Sequence, residues 1–477
     1  MNVKSSSEPC RIRCINFTAV AVGVFLLSLV FAVVTARSLY DDGTHYFMRV
    51  LQAGGFTEML FSRGHAAYLY QLPVVIALKL GVTNLGKLQL AFGVGCFCTW
   101  PLAMWLCHRL APPHFWLVVL ACSSGYLNAA FVAVGEHVVT HAFFWPVVFV
   151  LLFVRPLTLF AAVVLLISSA ILLRTYESML FLGPVLAWLA FRRAQSEAAT
   201  GPRVVCLVAA VILLLSVPIA MDGILHPCTG SNANSFKTGF FSVLLSPGWT
   251  ISWTAGWLGL MLAGVWQPKL RAWITSRVGI FLLGAGILFW GAWPLLAPAQ
   301  LDPYKQYEAR FLDLLVPLAL LAVAMFMNRF PSWLVTRKNY LVNMSAALLL
   351  AQSLWQLAAT EQWRGFLHVL QDLMASRSGI VMLMDTPYGR QPAVGGQATR
   401  FVWVMDLRNL CVEISPRRVQ ALVLGDPFID QDTVNRIMLD GYLPKYLPEL
   451  DRYGVDYHEY LRAFNPEELK IVAPAPK

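Results

Sequence analysis

The sequence predicts a mainly α-helical membrane bundle of about eleven spans, followed by a small C-terminal extracytoplasmic α/β domain. Hydrophobic residues make up 58% of the 477 residues and charged residues only 13%, whereas soluble domains carry roughly 25% charged residues. The apolar residues gather into runs close to the ~20 residues that a helix needs to cross a bilayer. Low charge and long apolar runs together exclude an ordinary soluble protein.

Eleven apolar runs are the candidate spans. The first follows a basic N-terminus, but it is longer than the roughly 7–15 residues of a signal-peptide core, so we interpret it as an uncleaved anchor. The runs lie near 15–36, 86–107, 115–134, 138–154, 157–173, 178–191, 203–222, 248–266, 278–297, 311–328 and 340–360.

The positive charges predict how these runs alternate across the membrane. The net charge is +10, but the basic residues lie in short clusters between apolar runs, which is typical of cytoplasmic loops and does not indicate nucleic acid. If the N-terminus and every cluster are cytoplasmic, the first span ends outside at Asp42, and an odd number of crossings separates Asp42 from the cytoplasmic Arg109. The run 86–107 supplies one crossing. The short run 66–80, which carries Lys79, is then an interfacial helix that does not cross. The clusters are His108-Arg109, Arg155, Arg192-Arg193, Lys269-Arg271 and Arg337-Lys338.

Eleven crossings place the C-terminal part outside the membrane. We therefore divide the chain into a bundle, 1–360, whose first outer loop with interfacial helices is 37–85, and an extracytoplasmic domain, 361–477. A helical stretch from Glu361 to Ala375 opens that domain. Three strand-like runs follow, separated by Gly, Pro and Asp. They are Ile380–Met384, Phe401–Met405 and Val419–Leu424.

Asp41 and Asp42, followed by His45, are the first candidate site. Ionisable residues at membrane depth are costly and deserve a functional hypothesis. Two adjacent carboxylates at the outer edge could accept a proton from an acceptor hydroxyl. Equally, they could simply end a helix at the water boundary, and their position alone does not decide between the two.

Glu136, His137 and His141 are the second candidate site. The two histidines are four residues apart and share a helix face, so they could bind a divalent metal or orient the carboxylate. The order E-H-x-x-x-H differs from the zinc-protease motif H-E-x-x-H. A structural hydrogen bond of His141 is the alternative, and nothing in the sequence requires a cofactor.

Two further outer segments carry cations. Arg174, with Tyr176 and Glu177, lies in a short turn, where it either pairs with Glu177 or is available to bind an anion. The loop before 311–328 could bind phosphate, because the planar fork of Arg310 suits it, or it could be a solvated loop with interfacial tyrosines. That loop holds Asp302, Tyr304, Lys305, Tyr307, Glu308 and Arg310.

Several short segments carry a resemblance to a known family. They are Tyr40–His45, Ser62–Tyr70, Glu136, Arg174, and Tyr307–Phe311 with Pro317. On these segments the chain, over roughly 1–330, resembles the GT-C superfamily of glycosyltransferases, in particular lipid A aminoarabinose transferases and protein O-mannosyltransferases. The chain departs from the HPP or KP signature of close relatives, since Arg63-Gly64-His65 stands there, and its second acid is a glutamate with a histidine beside it.

The resemblance implies an inverting transfer of a sugar from a polyprenyl-phosphate carrier, with Asp41 or Asp42 as general base. The implied donor-phosphate residues are Arg310, Arg174, Arg63 and Lys305. The implied substrate-binding residues are Glu136, His137, His45, His65, Tyr307 and Glu177.

The same resemblance implies the partners and the location of the protein. The partners are a polyprenyl-phosphate-linked sugar, membrane lipid, and a glycan, lipid or protein acceptor that the domain 361–477 helps to recognise. The location is the bacterial inner membrane, with the N-terminus cytoplasmic and the C-terminus periplasmic.

Three other classes of protein remain as alternatives. Gly- and Pro-interrupted helices in two matching halves would favour a multi-span transporter or lipid flippase, but the sequence lacks this pattern. An intramembrane protease could use Ser123 or Ser124, although small residues more often pack helices. A non-enzymatic envelope-assembly protein would not need Asp41 or Arg310.

Overall fold

The chain folds mainly into α-helices, as predicted. The computed structural model describes residues 17–40, 42–58, 60–131, 134–226, 248–297, 312–329, 337–376, 379–382 and 421–424. The helices of these ranges are α1 (Phe17–Val34), α2 (Asp42–Ala53), α3 (Gly64–Lys79), α4 (Leu85–Phe97), α5 (Thr99–Leu110), α6 (Phe115–Ala121), α7 (Leu127–Ala129), α8 (Glu136–Phe153), α9 (Leu159–Leu172), α10 (Met179–Ser196), α11 (Thr200–Leu225), α12 (Trp249–Trp266), α13 (Pro268–Ile274), α14 (Arg277–Leu296), α15 (Leu312–Arg329) and α16 (Lys338–Ser376).

Several of these helices could span a membrane. Five in the described ranges are long and apolar enough by length and composition: α1, α8, α11, α14 and Lys338–Val369 within α16. Helices α4 and α5 are together apolar enough for a sixth, but they meet at a bend of 44°. These helices indicate a membrane protein, while the count of eleven spans stays a prediction.

The predicted span 115–134 is interrupted. After α6 the chain forms a π-helix, Cys122–Tyr126, before the short α7. The hydroxyl of Ser124 donates to Leu120 O at 2.6 Å, and such back-bonding competes with regular helical hydrogen bonding. Gly125 adds low helix propensity. The small residues therefore mark a break in the helix, and the whole π-helix is buried.

Helix α3 covers the ambiguous run 66–80. Its buried face includes Ala66, Tyr70 and Val74 and packs on α4, whereas Leu72 and Ile76 are exposed. With 16 residues the helix is roughly 24 Å long, shorter than the ~30 Å hydrocarbon core. Its interfacial position stays a prediction.

Helix α16 joins two predicted elements, the span 340–360 and the helical stretch that follows it. It runs for 39 residues from Lys338 to Ser376, with no proline to end it. Trp363 and Phe366 lie beyond the predicted boundary and are still buried. The boundary at residue 360 therefore falls inside one continuous helix.

Two short strands pair in parallel after α16. Strand β1 (Gly379–Met382) lies beside β2 (Ala421–Leu424), with Gly379 opposite Ala421. The strands overlap the first and third strand-like runs, whereas Phe401–Met405 lies outside the described residues. One pair of four-residue strands does not make an α/β domain, which stays a prediction.

A buried polar network connects α7, α12, α14 and α16. Gln352 Nε2 donates to Thr254 Oγ1 at 2.7 Å and to Asn128 Oδ1 at 3.2 Å. Trp290 Nε1 donates to Gln352 Oε1 at 3.3 Å. Buried polar groups need such partners because an unmade hydrogen bond is costly, so this network helps to fix how the four helices pack.

Candidate functional site

Three segments that are distant in the sequence meet at Arg63. The 3₁₀ turn Phe61–Arg63 precedes α3, Glu136 is the first residue of α8, and Glu177 lies between α9 and α10. Arg63 Nε donates to Glu177 Oε1 at 2.8 Å, and Nη2 lies 2.7 Å from the same oxygen. Arg63 Nη1 lies 3.5 Å from Glu136 Oε2. The guanidinium therefore bridges two carboxylates from different turns.

A tyrosine of α2 holds the other oxygen of Glu136. The Tyr46 hydroxyl donates to Glu136 Oε1 at 2.5 Å. Glu136 also begins α8, where unsatisfied backbone N–H groups favour a negative charge. Although only 8% of Glu136 is exposed, its carboxylate is surrounded by a cation, a phenol and a helix N-terminus.

Aromatic rings line the same cluster. The Arg63 guanidinium lies 5.0 Å from the centre of the Tyr176 ring, and the ring of His137 lies 5.7 Å from Tyr176. The Tyr70 hydroxyl donates to Gly135 O. A Cβ at Gly135 would collide with the His137 ring, so a larger residue there would require that ring to move away from its present position.

The charges around Arg63 control its protonation. Burial alone would lower the pKa of Arg63, but the nearby carboxylates of Glu136 and Glu177 raise that pKa above its usual value. The side chain therefore remains a cation, and the two carboxylates already neutralise it.

Arg174 pairs with Glu58 and not with Glu177. Its Nη2 bonds Glu58 Oε1, and its Nε donates to Phe61 O at 2.7 Å. The guanidinium also lies 3.8 Å from the centre of the Phe61 ring. The local pair with Glu177, one of the two readings of the sequence, is not formed, because Glu177 binds Arg63.

The histidines have different surroundings. His65 Nδ1 lies 2.8 Å from Ala170 O, and the His65 backbone N–H donates to Arg174 O at 3.0 Å, so His65 joins the start of α3 to the end of α9. His141 is buried, with its ring edge-on to Trp100 at 5.0 Å. Within the described ranges, no three His, Cys, Asp or Glu side chains are grouped so as to hold a metal ion.

The other predicted site residues cannot be placed against this cluster. Asp41 lies outside the described residues, and Asp42 begins α2, with neither its side chain nor that of His45 described. Lys305, Tyr307 and Arg310 also lie outside the described residues. The roles that the resemblance implies for Asp41, Asp42 and Arg310 therefore stay predictions.

The cluster carries a surplus of negative charge. Three carboxylates, those of Glu58, Glu136 and Glu177, pair with two guanidinium groups, those of Arg63 and Arg174. Such an arrangement can accept hydrogen bonds from hydroxyl groups. A phosphate that binds Arg63 would compete with both carboxylates for the guanidinium.

Sequence reasoning did not single out Tyr46, Glu58 or Tyr70 as site residues. Tyr46 follows Asp42 by four residues, which is one helical turn, so an amphipathic reading of this stretch would have found it. Glu58 is an acid in the same predicted outer loop as Asp41. Tyr70 carries no sequence signal that separates it from the other aromatic residues of α3.

No protein-family model, no curated protein and no solved structure matches this chain. The candidate site therefore rests on its own geometry.

Proposed function

We propose that the protein is a membrane glycosyltransferase that moves a sugar from a polyprenyl-phosphate carrier to an acceptor at the outer face of the membrane. The observation that supports this is the cluster of Arg63, Glu136 and Glu177, which brings acids and a cation together from three separate segments. Transfer from a phosphate-linked donor to a hydroxyl requires groups of both charges at one place. The resemblance of the sequence to the GT-C superfamily points to the same chemistry.

In this proposal the chain has eleven spans, and the cluster faces the periplasm of a bacterial inner membrane. The N-terminus is cytoplasmic. Helix α16 leads into an extracytoplasmic α/β domain that contains β1 and β2 and recognises a glycan, lipid or protein acceptor.

The proposed reaction is a single displacement at the anomeric carbon. Asp41 or Asp42 accepts the proton of the acceptor hydroxyl, and the hydroxyl oxygen forms a bond to the anomeric carbon on the face opposite the carrier. The bond from that carbon to the phosphate oxygen breaks, and the polyprenyl phosphate leaves with the electron pair. Arg310 and Lys305 neutralise the charge that develops on the phosphate.

The described cluster has a supporting role in this reaction. Arg63 is held by two carboxylates and Arg174 by one, so in this proposal the donor phosphate competes with these carboxylates for the two cations. Glu136 is fixed by Arg63 and Tyr46, so it is well placed to accept a hydrogen bond from a sugar hydroxyl, next to His137.

The test removes the proposed base in living cells. The glycans and glycolipids of a deletion strain are compared by mass spectrometry with those of the strain complemented by the full chain, which identifies the sugar and the acceptor. The strain is then complemented with Asp41→Asn, Asp42→Asn and the double variant. We expect the double variant to lose the modification by about 100-fold or more, the usual contribution of a general base.

The matched control is Asp222→Asn, because Asp222 is an exposed acid that pairs with the exposed His226. It should restore the modification fully. Full restoration by the double variant, at equal protein level, would reject the base assignment. A deletion strain with unchanged glycans and glycolipids would reject the proposed activity itself.

A transporter or flippase is the second candidate, favoured by the broken helices. The bend of 44° between α4 and α5 and the buried π-helix are interruptions of the kind that line transporter sites. The deletion strain also distinguishes a transporter from a transferase. A missing transporter leaves an intact lipid-linked precursor on the inner side, whereas a missing transferase leaves that precursor on the outer side.

A further inference from the structure

Arg37 is a buried cation that the proposed reaction does not use. It lies in the 3₁₀ turn directly after α1 and is only 1% exposed. Its Nη1 donates to Gln356 Oε1 at 2.9 Å and to Thr360 Oγ1 at 2.6 Å. Its Nη2 donates to Ala130 O at 3.0 Å. One side chain therefore connects the end of α1, helix α16 and the segment after α7.

No carboxylate pairs with Arg37 among the residues that the structure describes. The guanidinium lies 5.0 and 5.2 Å from the ring centres of Phe97 and Phe131, and its acceptors are neutral. Burial lowers the pKa of Arg37 to about 10. A buried charge without a counter-ion opposes folding, so the hydrogen bonds that it makes must be specific to offset that cost.

The hydrogen bond from Arg37 to Ala130 O connects two chain segments that a second hydrogen bond connects at their other ends. One segment runs from Arg37 to Tyr46 and the other from Ala130 to Glu136. Arg37 joins their first residues, and the hydrogen bond from Tyr46 to Glu136 joins their last residues. Two segments held at both ends cannot slide past each other, so the beginning of α2 keeps a fixed position relative to the beginning of α8.

The residue before Arg37 has an unusual backbone conformation. Ala36 has φ of 55° and ψ of 27°, a left-handed conformation that is unfavourable for a residue with a Cβ. On the N-terminal side of Ala36, Thr35 O accepts a hydrogen bond from Trp363 Nε1 of α16 at 3.0 Å. The hydrogen bonds that Arg37 and Thr35 make with α16 help to hold this unfavourable turn.

We propose that Arg37 is a positioning residue that fixes the acidic beginning of α2 against Glu136. The proposal rests on the proposed function, because the carboxylates that it positions are those assigned to the acceptor. Arg37 does not touch the substrate. Its role is to hold Asp42 and Glu136, which lie on different segments, at one spacing.

The first test measures hydrogen exchange of the full chain in detergent micelles. Arg37→Lys keeps the charge but loses the planar fork that reaches three acceptors. We expect backbone amides in α2 and in the first turn of α8 to exchange about tenfold faster. Thr360→Val removes a single acceptor and should show the same pattern more weakly, which keeps the test valid if Arg37→Lys does not fold.

The matched control is Gln352→Leu, two helical turns before Thr360 on α16. It removes buried hydrogen bonds to Asn128, Thr254 and Trp290 but none that involve Arg37. Its faster exchange should be confined to α7, α12, α14 and the part of α16 around Gln352, and should not reach α2 or the first turn of α8. If Arg37→Lys and Thr360→Val leave exchange in α2 and α8 equal to that of Gln352→Leu, the positioning role is wrong.

The second test uses the transfer reaction in membranes from the complemented strain. Arg37→Lys should lower kcat by about 100-fold, because small displacements of reacting groups cost that much, while KM stays within about threefold. Gln352→Leu should leave both constants unchanged in the folded fraction. An equal loss in both variants would indicate a general structural role and would overturn the proposal. If the parent chain transfers no sugar, the proposed function fails, and the exchange experiment still decides whether Arg37 fixes the two segments.

Discussion

Arg63 and Arg37 are both largely buried cations, but their partners differ in kind. Arg63 is held by the carboxylates of Glu136 and Glu177, whereas Arg37 is held by an amide, a hydroxyl and a backbone carbonyl. The pKa of Arg63 is raised by its carboxylates after allowing for burial, and the pKa of Arg37 is lowered to about 10 by burial. The surroundings of Arg63 are suited to binding a charged group, whereas those of Arg37 are suited to holding chain segments in fixed positions.

The difference indicates which region a substrate can rearrange. An anionic ligand can compete for Arg63, since it offers the same charge as the carboxylates it displaces. Nothing comparable can reach Arg37, which is 1% exposed. The Arg63 cluster is therefore suited to binding and the Arg37 cluster to support.

The largest expected effect is that of Arg63→Met. Removal of the cation leaves Glu136 and Glu177 close together without compensation, and breaking a buried ion pair typically costs about 3–5 kcal/mol. We expect the free energy of unfolding to fall by about 3 kcal/mol, measured by thermal and chemical unfolding in detergent. Adding Glu177→Gln should recover part of the loss, and exposed Arg203→Met should have almost no effect. Unchanged stability of Arg63→Met would show that the three charges are not coupled.

A smaller effect is expected for Tyr46→Phe. This change removes the donor to Glu136 Oε1, and a hydrogen bond to a charged group contributes about 1.5–3 kcal/mol. The same unfolding measurement should show a loss of about 2 kcal/mol. Tyr68→Phe is the control, because its hydroxyl donates to Glu58 at 3.2 Å in an exposed position. Equal losses in both variants would refute the special role of Tyr46.

The smallest effect is expected for Thr360→Val, which tests the bonds of Arg37 to uncharged acceptors. The change removes one acceptor at nearly constant volume, and Gln356 and Ala130 remain as partners. A hydrogen bond that involves a charged group contributes about 1.5–3 kcal/mol. Because two acceptors remain, the free energy of unfolding should fall by about 1.5 kcal/mol, at the lower end of that range. Thr275→Val, at an exposed helix end, is the control. A loss as large as that of Arg63→Met would remove the distinction between the two regions.

The helices could be predicted because apolar runs and basic clusters alternate along the chain. The predicted run 278–297 corresponds to α14 at Arg277–Leu296, and the run 248–266 corresponds to α12 at Trp249–Trp266. Each run begins or ends at a polar or basic cluster, such as Lys269-Arg271, that cannot enter an apolar layer cheaply. Hydropathy therefore locates a helix, although it does not establish that the helix crosses a membrane.

The site could be predicted only in part. Charged residues in predicted outer turns indicated Glu136 and Glu177, and the resemblance to a known family implied Arg63, but the pairing of the three depends on how separate turns pack. Glu58 and Arg174 are 116 residues apart, and no local pattern connects them. Arg37 follows an apolar run directly, as a solvated residue would, yet it is buried and bound by Gln356, Thr360 and Ala130, and no local pattern connects it with these residues.

The length of α16 has a mechanical consequence. Its 39 residues extend over roughly 58 Å at about 1.5 Å per residue, nearly twice the ~30 Å thickness of a hydrocarbon core. A tilt of about 10° of a rigid helix this long would displace its far end by about 10 Å. Thr360 lies roughly 24 Å before the end of α16 at Ser376, so a tilt of the helix would also shift the acceptor that binds Arg37.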